Sequence, residues 1–107
     1  MDTLRKLHEN GIQLSEENIK VLIEKYNIRE LAVFGSSLRN DFNPQSDIDF
    51  LIEFNNSENI SLFDLLDIQE YLESITGRNV DLVEPESLNN PYRREAILNS
   101  KEILYVA

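Results

Sequence analysis

The chain has no cysteine, which excludes disulfides and thiolate chemistry. Glycine and proline number only three each. They act as punctuation, and no linker, repeat or low-complexity stretch divides the chain. The longest clean apolar run is Leu31-Ala32-Val33-Phe34, far short of a membrane span. The polar start, Met1 to Asn10, carries no apolar segment of the signal-peptide kind, so the cytoplasm is the default compartment. Basic residues are also scarce: 10 Lys+Arg stand against 20 Asp+Glu, a net charge of −10. Affinity for nucleic acid and for anionic membranes rests on neutralising phosphates with Lys and Arg. With no basic block longer than Arg93-Arg94, this chain is a poor binder of either. The acidity leaves three readings open: cations, a basic protein partner, or solubility.

What is present is enough for one compact domain. The 107 residues, 41% hydrophobic, form a modest core and leave no room for a separate substrate domain. Thr3 to Glu9 reads as a short helix ending at Gly11. Ser15 caps a second helix, with Glu16 and Glu17 at the positive end of its dipole. Leu14 and Ile19 sit at staple spacing, and Ile19, Leu22, Ile23 and Tyr26 mark one apolar face. Leu31 to Phe34 is a buried strand stopped by Gly35-Ser36-Ser37. A turn or short helix carries Leu38 to Asn40, and Asn43 to Ser46 form a loop. Asp47 to Phe54 is the next strand. Ser61 caps a helix with the stripe Leu65, Ile68, Leu72 and Ile75, closed by Gly77. Val80 to Val83 is a third strand. Asn90-Pro91 opens a last helix, and Leu104 to Val106 is a short extended tail. The expected class is α/β (α+β): a small mixed sheet of three to four strands with helices packed against it.

The chemistry concentrates between Gly35 and Phe54. In a strand, residues i and i+2 share a face, so Asp47 and Asp49 stand side by side. Like charges that close repel unless a cation intervenes, and hard oxygen ligands suit Mg²⁺ or Mn²⁺. Asp81 is a lone charge in Val80-Asp81-Leu82-Val83, and a neighbouring strand would bring it to the same place. Gly35-Ser36 opens a tight turn after a buried strand, where backbone N–H groups can approach an anion and a hydroxyl adds a donor. Arg39, one turn on, is within reach of the same phosphate. A phosphate cradle facing a carboxylate cluster is what metal-assisted phosphoryl or nucleotidyl transfer requires. Two other Asp-x-Asp chemistries do not fit. A calcium loop counted from Asp47 needs glycine where Ile52 stands. An aspartyl-nucleophile phosphatase places its pair after an apolar strand, whereas here the apolar residues follow the pair.

Gly35-Ser36, ten residues, then Asp47-x-Asp49 resembles the signature of the polymerase-β-like nucleotidyltransferase superfamily. The Ser46-Asp47-Ile48-Asp49-Phe50-Leu51 context and the Val80-Asp81-Leu82-Val83 strand resemble its minimal (MNT) subgroup. So does the tail from Tyr92-Arg93-Arg94 through Ile97-Leu98 to Ile103-Leu104-Tyr105. The likeness spans about residues 15–105, within a single domain of residues 1–107. It implies an antitoxin that neutralises a partner HEPN-domain ribonuclease toxin by Mg²⁺-dependent transfer of AMP from ATP to a toxin tyrosine. On that resemblance Asp47 and Asp49 hold two metal ions. Asp81 completes one metal site and helps deprotonate the acceptor hydroxyl. Gly35, Ser36, Ser37 and Arg39 form the nucleotide-binding group. Leu38 and Asn40 depart from the family's usual Ala and Gly, although Asn tolerates a left-handed backbone. Two alternatives stand beside this reading: a non-enzymatic binding antitoxin and a small-molecule nucleotidyltransferase. Other residues carry less. His8, the one histidine, lies in a polar helix. Phe63 and Tyr71 fall off their helix's core stripe. Arg93 and Arg94 read as a solvated pair or as contacts to nucleotide or partner.

Overall fold

The computed structural model describes residues 2–35 and 46–107. Leu38, Asn40 and most of the expected 43–46 loop lie outside them. The described residues form helices α1 (Asp2–Glu9), α2 (Glu16–Tyr26), α3 (Leu62–Thr76) and α4 (Pro91–Ser100), and strands β1 (Ile28–Phe34), β2 (Ile48–Phe54), β3 (Val80–Val83) and β4 (Glu102–Val106). Short 3₁₀ turns at Ser57–Asn59 and Pro85–Ser87 have no clear sequence signal.

The helix ends follow local chemistry. Ser15 and Ser61 each accept a hydrogen bond from the N–H three residues on, and Asn18 and Asp64 return it to the cap's own N–H. Such reciprocal caps satisfy two donors that the helix leaves unpaired. Gly77 ends α3 in the left-handed conformation, with φ at +68°. Asn27 does the same for α2 at φ +55°. The Leu14–Ile19 staple is buried at both ends.

The sheet order is β3-β2-β1-β4. β1 runs antiparallel to both β2 and β4, while β2 and β3 are parallel. The expected tail is therefore a full sheet strand, and β1 begins earlier than Leu31. Its polar Arg29-Glu30 start masks it in the sequence, and Glu30 is tied by an ion pair to Lys101 beside β4.

Strand alternation sends side chains to two faces. Leu31, Val33, Ile48, Phe50, Ile52, Val80 and Leu104 point to one face, against Leu4, Leu7, Ile19, Leu22, Ile68 and Leu72 of the first three helices. A register slip between Ile28 and Glu30 puts Ile28 into this core despite its parity. Ala32, Phe34 and Leu51 point to the other face, where Leu88 and Ile97 cover them in a smaller cluster. No helix among the described residues is long and apolar enough to cross a membrane.

Candidate active site

The smaller face holds the candidate site. Two rows of residues run across the central strands there. Ala32, Leu51 and Val83 are register partners and form an apolar row beneath Ile97 of α4. Two residues along, Phe34 pairs with Asp49 and Asp49 with Asp81. Neighbouring strands lie about 4.8 Å apart, so Asp49 and Asp81 are direct cross-strand neighbours. Asp47 immediately precedes β2. The three carboxylates thus gather at one end of the sheet, next to Gly35 at the end of β1.

Several hydrogen bonds fix the register that aligns Asp81 with Asp49. Gln69 Nε2 of α3 donates to the Val80 carbonyl at 2.9 Å, and the Val80 N–H donates to Glu73 Oε2 at 3.0 Å. The Ile48 N–H donates to the Asn79 carbonyl at 2.9 Å, and Arg78 Nη2 to the Ser46 carbonyl at 2.7 Å. β3 is therefore anchored both to α3 and to the start of β2.

Gly35 is required by two constraints. Its φ is +79°, and a Cβ there would lie 2.6 Å from Asp49 Oδ2. Any larger residue would strain the backbone and strike the carboxylate. Asp49 itself is half-buried, while Asp47 and Asp81 are exposed. Burial raises the Asp49 carboxyl above the usual range; the charges of Asp81 and Asp47 raise it further, and Arg93 opposes them. Partial desolvation and two like charges are the cause. A hard divalent cation would relieve both, and an all-carboxylate donor set is the chemistry such a cation prefers. The donor chemistry of these residues therefore suits Mg²⁺. Among the described residues, no group of three acidic or histidine side chains could hold an ion as it stands.

Of the expected site residues, Gly35, Asp47, Asp49 and Asp81 come together. Ser36, Ser37 and Arg39 lie outside the described residues. The Arg93-Arg94 pair separates. Arg94 Nη1 donates to the Pro85 carbonyl at 2.8 Å, while the charge of Arg93 acts on Asp49. Sequence alone cannot split two adjacent arginines, because the phase of α4 on the sheet decides. His8 Nε2 is hydrogen-bonded with the Leu14 carbonyl at 2.8 Å, a structural contact. Tyr71 packs partly into the core and meets Asn18, whereas Phe63 is 77% exposed beside exposed Leu62 and Leu66.

Residues 15–104 match the model of a family described as "Nucleotidyltransferase domain". Over 106 residues the chain is 35% identical to a protein of Methanocaldococcus jannaschii named "Putative protein adenylyltransferase MJ1379", covering 99% of this chain and 100% of that one. Among solved structures, one described as "Structure of putative minimal nucleotidyltransferase" superposes with a TM-score of 0.67. It is 30% identical and covers 80% of this chain and 85% of that one. A chain described as "Crystal structure of the toxin-antitoxin with AMP-PNP" has a TM-score of 0.69 at 20% identity, covering 88% of this chain and 75% of that one. That likeness is one of fold.

Proposed function

Because the chain belongs to the nucleotidyltransferase domain family, we propose that it is the antitoxin of a toxin–antitoxin pair, and that it transfers AMP from ATP to a tyrosine of a partner HEPN-domain ribonuclease toxin. The observation that carries this reading is the alignment of Asp49 with Asp81 beside Gly35. The name of the M. jannaschii relative supports protein adenylylation as the reaction. The toxin–antitoxin structure with AMP-PNP supports a toxin partner and an adenine nucleotide. The family match over residues 15–104 supports one minimal domain with its core at about residues 15–105. The cytoplasm, where ATP is available, is the compartment this activity requires.

In the transfer, the tyrosine oxygen forms a bond to the α-phosphorus of ATP. The bond from that phosphorus to the bridging oxygen breaks, and pyrophosphate leaves. Asp47, Asp49 and Asp81 would hold Mg²⁺, which would supply charge neutralisation and Lewis acidity when bound. Asp81 is exposed and next to Asp49, so it can accept the acceptor hydroxyl's proton. Gly35 lets the backbone at the end of β1 come close to both Asp49 and a phosphate. The acceptor arrives on the partner, and the charge of −10 suits a basic RNA-cleaving one. Exposed Leu62, Phe63 and Leu66 offer an apolar patch for the contact.

The test is co-expression with the toxin followed by intact-mass measurement of the toxin. The expected result is a mass gain of whole AMP units that requires Asp47 and Asp49. Neutralisation without any mass gain would overturn the enzymatic reading in favour of a binding antitoxin. AMP found on a small molecule instead would favour a small-molecule nucleotidyltransferase.

A further inference from the structure

The outer edge of β3 is capped on both sides of Leu82. In the parallel β2–β3 ladder the Ile48 N–H donates to the Asn79 carbonyl. Asp81 therefore turns its N–H and C=O toward β2, while Val80 and Leu82 turn theirs outward. The outward groups of Val80 are taken by α3: its N–H donates to Glu73 Oε2 and its carbonyl accepts from Gln69 Nε2. Past the strand, the Glu84 carbonyl accepts from the Ser87 N–H and hydroxyl. Leu82 stands between these two stops. Among the described residues, neither its N–H nor its C=O has a partner on the outer side. Edge strands are usually blunted to prevent pairing. Here one residue is left open, and it is the neighbour of Asp81.

α3 supplies a wall beside this opening. Leu62, Leu66, Gln69 and Glu73 share one helical stripe. Its second half, Gln69 and Glu73, binds the edge at Val80. After the turn at 77–79, β3 runs back along α3, so Leu66 and then Leu62 continue the stripe past Leu82. At 1.5 Å per helical residue Leu66 lies about 4.5 Å beyond Gln69, and Leu82 lies about 6.6 Å beyond Val80 along the strand. Leu66 and Leu62 are 45% and 70% exposed. They border the opening from the face of the larger core, where α3 packs. The surroundings are acidic. Glu70 and Glu86 are exposed and Glu84 is half-buried. The one base between Ser61 and Tyr92 is Arg78, which is bonded to the Ser46 carbonyl.

We infer that the open edge at Leu82 is where the acceptor docks: an extended, basic segment of the partner protein adds there as a short antiparallel strand, with its tyrosine opposite Asp81. The inference rests on the adenylyltransferase reading and adds how the acceptor is recognised. An opening of one residue suits antiparallel addition, in which a single incoming residue exchanges both hydrogen bonds with Leu82. The side chain of that residue falls on the larger-core face, against Leu66. The next incoming residue stands opposite Asp81, with its side chain on the carboxylate face and its strand about 4.8 Å from β3. Leu66 thus selects an apolar residue before the tyrosine, and Glu70, Glu84 and Glu86 select basic flanks.

The test follows transfer of labelled AMP, with Mg²⁺ and ATP, from the full chain to the end-blocked peptide Lys-Val-Lys-Val-Tyr-Lys. The peptide should accept AMP on its tyrosine. N-methylation of the valine before the tyrosine removes the donor that meets the Leu82 carbonyl, and should slow transfer by about fivefold or more. N-methylation of the lysine before that valine, whose N–H points away from β3, should change the rate by less than about twofold. Leu66→Ser should raise the KM for the peptide about fivefold, at unchanged kcat and melting temperature. Two methylated peptides that behave alike, or a KM that Leu66→Ser leaves unmoved, would overturn the docking edge. So would a peptide left unmodified by a chain that adenylylates its folded toxin, since the acceptor would then be read as a folded surface. The nucleotidyltransferase reading survives each of these results. A chain that transfers AMP to neither acceptor would overturn that reading and this inference with it.

Discussion

Among the described residues, one face of the sheet is covered by three helices and the other by one. On the first face, β-strand and helix residues interleave into a continuous core from Leu4 to Leu104. On the second, five buried residues centred on Leu51 and Ile97 form a small cluster, and the next row is Phe34, Asp49 and Asp81. The same two strands build both faces, so the contrast arises from side-chain parity alone. Phe50 is fully buried in the large core while its neighbour Asp49 is half-exposed on the other side. Stability is concentrated where the helices are. The opposite face carries the charged residues Asp49 and Asp81 where fewer buried apolar side chains stand.

The largest effect should come from the charged row. Asp49→Asn keeps the shape of the side chain but removes the charge proposed to hold Mg²⁺. Transfer of labelled AMP to the toxin should fall by at least about a thousandfold, the scale of losing a principal charge-stabilising group. The same variant, without Mg²⁺, should melt higher than wild type, because a carboxylate repelled by Asp47 and Asp81 has gone. A variant that lost activity and also melted lower would break the comparison, since it would make Asp49 part of what holds the fold.

The two cores should differ in the next largest effect. Ile68, fully buried in the large cluster, should cost about 3–4 kcal/mol when cut to alanine. Ile97, buried in the small cluster, should cost about 2 kcal/mol, because the thin cover can partly collapse. Urea unfolding followed by circular dichroism measures both. Equal losses would mean that the second face stabilises the fold as much as the first.

Gly35→Ala tests the seam between fold and site. The alanine must adopt φ +79° and place its Cβ against the Asp49 carboxylate. The backbone cost alone is about 1–2 kcal/mol, read from the same unfolding curves. The displaced carboxylate should weaken Mg²⁺ binding as well. Loss of stability with unchanged Mg²⁺ affinity would separate Gly35 from the acid cluster.

Much of this contrast is legible in the amino-acid sequence. Period-two alternation assigns Asp47 and Asp49 to one face, and the lone charge in Val80-Asp81-Leu82-Val83 marks a third member. Caps at Ser15, Ser61 and Asn90 follow from local chemistry that a few residues determine. What is not legible there depends on distant packing. The in-register meeting of Asp81 with Asp49 is set by Gln69, Glu73 and Arg78, residues with no motif. The pairing of β4 with β1 needs a partner strand about 70 residues away along the chain. The division of labour between Arg93 and Arg94 depends on how α4 is rotated above the sheet. Local propensity carries no information about that rotation.

The smallest effect, and the finest test of the two-face contrast, is in the pH dependence of stability without metal. The folded state raises the Asp49 carboxyl above its unfolded value. The native chain therefore binds more protons than the unfolded chain between those two values, and stability falls as pH rises through that window. Glu84, raised by burial and by Glu86, adds a slope of the same sign. Melting temperature measured against pH should show a steeper decline in wild type than in Asp49→Asn. Glu84→Gln should remove only its own share. Millimolar Mg²⁺ separates the two contributions, because a cation that binds the native carboxylates stabilises them more as protons leave. It should flatten or reverse the Asp49 part of the slope and leave the Glu84 part unchanged. If Mg²⁺ acted equally on wild type and Asp49→Asn, the cation would be binding the acidic surface at large, and the three-carboxylate row would have no special claim on it.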